Sequence, residues 1–247
     1  NMPVIKEIKL DFTFSGEKNF IYPTLIRYKN ELILVDAGYQ NMLSNLEKAF
    51  RENGESFSDL TRIWITHHDH DHIGSLHAIR EKYPHIKVYA GAGEVPFIEG
   101  RETPLRLKQA VELQARLSEE KQNEGIIFQK YLKSVEADKV DFLLYDDMLL
   151  LDGNAKVIST PGHTKGHVSF YFPKEQTLIA GDALVIENSK LEIPFPQFSE
   201  NPEKAEESVR KLAQYSIGRI LCYHSGTKEG NPSDIKREIL NAVSQNK

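Results

Sequence analysis

The sequence predicts an α/β fold with an inserted helical segment, and three observations carry that expectation. Short apolar runs alternate with amphipathic stretches through the N-terminal part of the chain, the signature of strands interleaved with helices. A long polar stretch of helical character interrupts that rhythm at about 94–138, and strand-like runs then return. The composition is 40% hydrophobic and 27% charged over 247 residues, with 15 Gly and 11 Pro, which suits an ordered protein with its core in a single domain, 1–247.

The elements follow in order. Residues 20–36 read as two short strands joined at Lys29-Asn30-Glu31, with Ile26, Leu32, Leu34 and Val35 apolar, ending at the turn Asp36-Ala37-Gly38. From Gln40 to Asn53, Leu43, Leu46 and Phe50 recur at helical spacing and Gly54 supplies the stop. Arg62–Thr66 reads as a buried strand, Ser75–Tyr83 as a helix and Ile86–Ala90 as another strand. Between 94 and 138 the stretches Leu105–Lys121 and Gly125–Val135, rich in Gln, Glu, Lys and Arg, form the expected helical cap. Strands are expected again at Asp141–Leu144, Met148–Leu151, Val157–Thr160, Val168–Phe172, Thr177–Ala180 and Arg219–Tyr223. Asn201-Pro202 and Asn231-Pro232 each put a capping side chain ahead of a proline at the first helical position, opening helices at 203–215 and 233–245.

Composition excludes several classes of function. A formal net charge of −5 lacks the concentrated positive charge that phosphate backbones demand, so no nucleic-acid partner is expected. No apolar run approaches the roughly 18 residues that cross a bilayer, and the N-terminus shows no basic segment followed by an apolar one, so the expected location is cytoplasmic, without membrane attachment. The lone cysteine, Cys222, allows no intrachain disulfide, and its strand-like setting marks it as a small core residue. The sequence contains no nucleophile elbow, phosphate-binding loop or dinucleotide fingerprint.

The run Thr66-His67-His68-Asp69-His70-Asp71-His72-Ile73-Gly74 packs four histidines and two aspartates directly after a strand. A solvated turn has no need of imidazole and carboxylate almost exclusively, whereas Zn, Mn and Fe sites do. Alternate residues of an extended turn share a side, which groups His67, Asp69 and Asp71; His68 and His70, the rivals of Asp69 as ligand, would need a twist in the turn and are expected behind the ligands or at the surface. Three more polar residues border glycine at strand ends: His163 in Thr160-Pro-Gly-His-Thr, Asp182 in Ala180-Gly-Asp-Ala, and His224 before Ser225-Gly226. Asp36, at a strand end, is a candidate to orient a ligand, and His167 to orient the loop it follows. His77 and His85 belong to an ordinary helix and its exit and carry no expected chemistry.

These landmarks, in this order from Asp36-Ala-Gly to His224, resemble the metallo-β-lactamase superfamily over nearly the whole chain. The family pattern His-x-His-x-Asp-His is matched by His67, Asp71 and His72, with Asp69 standing where the family has its second histidine. The resemblance implies a four-layer αβ/βα sandwich and two divalent metal ions. One would be held by His67, Asp69 and His163 and the other by Asp71, His72 and His224, with Asp182 bridging them. Zinc is the first expectation, and the harder carboxylate at Asp69 brings Mn or Fe into range. A dimer is a family-level expectation.

By the same resemblance, a metal-bridging hydroxide attacks the substrate, with Asp71 or Asp182 orienting it and receiving its proton. The substrate is expected to be a small molecule, and three readings compete. An ester, lactone or thioester hydrolase calls for an apolar pocket under the cap, shaped by 94–138 and the loop Glu187–Ser199 with Phe195 and Phe198, and with Tyr22 as an added pocket candidate. A phosphodiesterase or phosphonate hydrolase calls for cations converging on the metals, with Lys165, Lys190 and Arg101 as candidates. A mononuclear iron oxygenase, or a metal protein without hydrolytic activity, is the third. About twenty residues follow His224, too few for the C-terminal domain with which glyoxalase II binds glutathione.

Overall fold

The computed structural model describes residues 1–14 and 16–244. Strands β1 (Val4–Glu7), β2 (Leu10–Phe14), β3 (Glu17–Ile21), β4 (Thr24–Tyr28) and β5 (Glu31–Val35) come first. The expected hairpin is β4 and β5, paired from Thr24↔Val35 to Tyr28↔Glu31. Helix α1 (Leu43–Glu52) ends at Asn53, with Gly54 at φ +75° as the stop. Strand β6 (Arg62–Ile65), helix α2 (His70–Ile73), helix α3 (Leu76–Lys82) and strand β7 (Lys87–Gly91) complete the alternation. Helices α4 (Val95–Ile98), α5 (Leu105–Gln114) and α6 (Gln122–Lys133) occupy the segment expected as a cap, and β8 (Phe142–Leu144) follows it.

The second half supplies β9 (Leu149–Leu150), β10 (Ala155–Ser159), β11 (Val168–Phe172), β12 (Thr177–Gly181), β13 (Val185–Glu187), β14 (Lys190–Glu192), helix α7 (Pro202–Leu212), β15 (Arg219–Cys222), β16 (Gly226–Glu229) and helix α8 (Pro232–Ser244). Position 245, the expected end of that last helix, lies outside the described residues. Both capping asparagines work as expected: Asn201 Oδ1 accepts from the Lys204 N–H at 3.1 Å, and Asn231 Oδ1 from the Ser233 N–H at 2.8 Å.

Two six-stranded sheets result, ordered β1-β4-β5-β6-β7-β8 and β16-β15-β12-β11-β10-β9. Side chains alternate across each strand, so each sheet buries two faces. In β5, Leu32 and Leu34 meet Leu46 and Phe50 of α1, while Ile33 and Val35 face the opposite sheet, where Phe170, Phe172 and Leu221 meet them around Trp64. On the far side, Leu178, Ile220 and Cys222 pack on Val209 and Leu212 of α7 and Ile239 of α8. Helix, sheet, sheet and helix therefore stack as four layers, an αβ/βα sandwich. No described helix is long and apolar enough to cross a membrane.

Candidate metal centre

The site is assembled at strand ends. Asp36 follows β5, residues 67–72 follow β6, His163 follows β10, Asp182 follows β12 and His224 follows β15. These are the carboxyl ends of strands, where ligands of open α/β sheets gather. After β6 the chain stays extended through Asp69 (ψ 148°) and then turns into α2, the Asp69 carbonyl accepting from the His72 N–H at 2.9 Å. The Ala37 N–H donates to the His72 carbonyl at 2.7 Å, pinning α2 to the turn after β5.

This turn into helix corrects one expectation. His67, Asp69 and Asp71 were grouped on one side of an extended turn, but α2 begins at His70 and swings Asp71 away with His72. One set comprises His67, Asp69, His163 and Asp182, the other Asp71, His72, Asp182 and His224, and in each the ligand atoms lie within 4.8 Å of one another. Asp182 Oδ2 is the hub, 3.5 Å from His67 Nε2, 3.2 Å from His72 Nε2, 3.4 Å from His163 Nε2 and 3.4 Å from His224 Nε2. His163 Nε2 lies 2.9 Å from Asp69 Oδ2, and His224 Nε2 2.9 Å from Asp71 Oδ2.

The surrounding groups aim these side chains. Asp36 is buried and accepts the Thr66 N–H at 2.8 Å, the Thr66 hydroxyl at 2.7 Å and the His72 Nδ1–H at 2.7 Å. With its hydroxyl proton given to Asp36, Thr66 Oγ1 accepts from His67 Nδ1 at 2.9 Å. Both imidazoles thus turn Nε2 toward the clusters. His167 orients the bridging residue: its Nε2 accepts the Asp182 N–H at 3.1 Å, while Nδ1 donates to Thr160 Oγ1 at 2.8 Å. Burial and then His67 and His163 push the His167 imidazole well below its ordinary pKa, so it is neutral as that bond requires. Burial opposes ionisation of Asp69, Asp71 and Asp182, yet the imidazoles around them outweigh it and hold all three below the usual carboxylate range.

The remaining histidines separate. His68 is buried behind the site, its ring stacked on Phe97 at 4.1 Å and its Nδ1 3.0 Å from Glu94 Oε1. His70 is in neither cluster and not on the open surface: it forms part of the cavity wall, edge-on to Tyr39 and Tyr131. His77 joins an outer ion-pair group with Glu136 and Asp138, and His85 bonds the Leu60 carbonyl.

Over the clusters lies a cavity of about 560 Å³ with Phe128, Ile186, Ile193, Phe195 and Phe198 on its walls. The expected Glu187–Ser199 loop begins as the β13–β14 hairpin, turning at Asn188 and Ser189, both at positive φ. Tyr22 does not reach this cavity: its N–H is tied to the Tyr223 carbonyl at 2.7 Å and its ring sits beside Gly226. Nor do the expected cations. Lys165 lies over the Phe97 ring, Arg101 pairs with Glu99, and Lys190 is exposed on β14.

Three residues at the site carried no signal in the sequence. Arg106 enters from α5, Nη2 at 3.2 Å from Asp69 Oδ2. Glu94 is fully buried and ties the two ligand loops together, accepting the His68 N–H at 3.0 Å and the Thr164 hydroxyl at 2.6 Å. Tyr223 stacks on His72 at 3.9 Å and donates its hydroxyl to the Asp71 carbonyl at 2.6 Å. Only its place beside His224 could have marked Tyr223; Arg106 sits in polar helical sequence, and Glu94 is a lone acid between Gly93 and Val95.

The donor set fits divalent cations. His67 Nε2 and Asp182 Oδ1 are buried without a hydrogen-bond partner, and the carboxylates Asp69, Asp71 and Asp182 converge with imidazole nitrogens in both clusters. A layered sandwich with paired imidazole–carboxylate clusters along one strand-end edge defines a class of metal-binding folds. Within it, the chain belongs to the metallo-beta-lactamase superfamily, whose family model matches residues 17–224. It is 30% identical over 210 residues to the probable metallo-hydrolase YflN of Bacillus subtilis (strain 168), covering 79% of this chain and 75% of that protein. It is also 27% identical over 183 residues to a hydroxyacylglutathione hydrolase of Synechococcus sp. (strain JA-2-3B'a(2-13)), covering 73% of this chain and 56% of that one. The fold superposes on a metallo-beta-lactamase family protein from Thermus thermophilus with a TM-score of 0.74 at 22% identity, over 98% of this chain and 79% of that one. The protein is a hydrolase of this superfamily.

Proposed function

We propose that the protein is a binuclear metal-dependent hydrolase of small carboxylic esters, lactones or thioesters. The observation that carries this reading is the apolar-walled cavity directly over the paired clusters, in which Arg106 is the one lysine or arginine among the described lining residues. A phosphodiester needs cations free to meet its charge, whereas Arg106 is already engaged by Asp69. Kinship with hydroxyacylglutathione hydrolases supports the thioester option.

His67, Asp69 and His163 would hold one ion, Asp71, His72 and His224 the other, with Asp182 shared; zinc is the first choice, and Mn or Fe follow from the carboxylate at position 69. Bound divalent ions lower the pKa of water to about 7 and polarise a carbonyl oxygen. The chain's own part is distinct. Asp182 presents Oδ2 to the four imidazoles, which hold it ionised, so its carboxylate would be an acceptor for a proton from attacking water. Asp71, held ionised, is the second acceptor beside it. Phe128, Phe195 and Phe198 keep bulk water from the acyl portion of the substrate.

Two measurements test the reading. Metal analysis of protein purified without chelator is expected to give two ions per chain, with a marked loss in Asp69→Ala. Protein loaded with Zn²⁺, Mn²⁺ or Fe²⁺ and offered a lactone, a thioester and a phosphodiester is expected to cleave the carboxylic substrates. Preferential turnover of the phosphodiester would overturn the assignment.

A further inference from the structure

The two clusters match in composition, each with two imidazoles, one carboxylate of its own and a share of Asp182. They differ by one cation. Arg106 donates from Nη2 to Asp69 Oδ2 at 3.2 Å and to the Phe198 carbonyl at 3.3 Å, while the ion-pair contacts of Asp71 among the described residues are to the imidazoles of His72 and His224, with no lysine or arginine. The oxygen that Arg106 engages is the same Oδ2 that stands 2.9 Å from His163 Nε2 and 3.4 Å from His67 Nε2. Arg106 therefore competes for the very atom the first cluster would offer a metal, and adds a fixed positive charge beside it.

We infer that the two sites bind divalent cations unequally. The Asp71–His72–His224 cluster fills first, and Arg106 makes the His67–Asp69–His163 cluster the weaker site. This rests on the reading above that both clusters take a metal. The Arg106 side chain is only 22% exposed, so solvent screens its charge in part. His224 is the more exposed ligand candidate at 35%, but an imidazole bound to a metal carries no charge of its own for water to screen, and this does not reverse the order. Arg106 belongs to α5 of the cap, so the seating of that helix and the loading of the first cluster oppose one another. Each weakens the other by the same factor.

Arg106 acts here as a positioning residue, and Zn²⁺ competition against a chromophoric chelator reads its effect without any substrate. Wild-type protein is expected to titrate in two steps, with His163→Ala removing the weaker and His224→Ala the tighter. Arg106→Gln, which keeps a donor for the Phe198 carbonyl, is expected to tighten the weaker step about tenfold at low ionic strength and leave the other alone. Arg106→Lys, which keeps the charge, is expected to preserve the gap. Two steps unchanged in Arg106→Gln, or a weaker step that disappears with His224→Ala instead, would overturn the inference while leaving a binuclear protein. Failure of the wild type to bind Zn²⁺ at all would overturn the functional reading with it.

Discussion

Asp36 shows how much one carboxylate behind a site can decide. By accepting from His72 Nδ1 and, through the Thr66 hydroxyl, fixing His67 Nδ1, it sets the tautomer of a histidine in each cluster. It sits at φ +68°, a conformation asparagine tolerates, so Asp36→Asn isolates the charge from the backbone. That variant is expected to lose about 10–100-fold in metal affinity, read by chelator competition. A wild-type affinity would show that the tautomers are set elsewhere. Cys222 makes the opposite case, since burial pushes its thiol up to about 12 and it stays protonated well above neutral pH. The folded protein is expected to resist iodoacetamide at pH 8 and to be labelled once denatured. At this scale the sequence was legible wherever residue type alone implied chemistry, as in the histidine-rich run. Arg106 and Glu94 were not, because a single charge, whether in a polar helix or after a glycine-rich turn, means nothing until the fold carries it to its partner.

Helix α2 is the element on which the site turns. The His-Asp run carries no apolar periodicity that would mark a helix, which is why alternation misplaced Asp71. What starts the helix is the Asp69 carbonyl, and what holds it is backbone bonding to the Asp36–Gly38 turn. Gly74 seals that junction, since a Cβ there would come within 2.4 Å of the Gln40 nitrogen. A comparable constraint governs the His163 loop. Gly162 has φ +141°, and a Cβ would meet the Ala205 nitrogen of α7 at 2.2 Å. Gly162→Ala is expected to lower stability by about 2–4 kcal/mol in urea unfolding and to reduce metal content at the first cluster. A variant as stable as wild type would show that the loop and α7 move apart freely. Long amphipathic helices and apolar strands were readable from period and caps. Strands β3 and β14 were not, because Glu17, Lys18, Lys190 and Glu192 make them polar and only a hairpin partner turns them into strands.

Across the whole molecule, the alternation of elements foretold the class of fold but not which faces meet. The central layer joins Trp64 from one half to Phe170 from the other, stacked at 4.8 Å, and no local pattern records that pairing. The cap is a closed excursion from this frame. Its ends are adjacent, the Asp138 N–H donating to the Ile98 carbonyl at 3.1 Å and the Val140 N–H to Glu99 at 3.1 Å. Replacing 101–136 by a short glycine-rich link is therefore expected to leave cooperative unfolding and the tighter metal step intact while raising KM for apolar esters severalfold. Loss of cooperative folding would show that the cap belongs to the frame. The shared hub at Asp182 has one more consequence, in time instead of space. Its four imidazoles come from both halves of the chain, so a nascent polypeptide that has emerged only through the first sheet carries the histidine-rich run but no finished cage. Neither cluster is complete before Asp182 has emerged, and the second needs His224 as well.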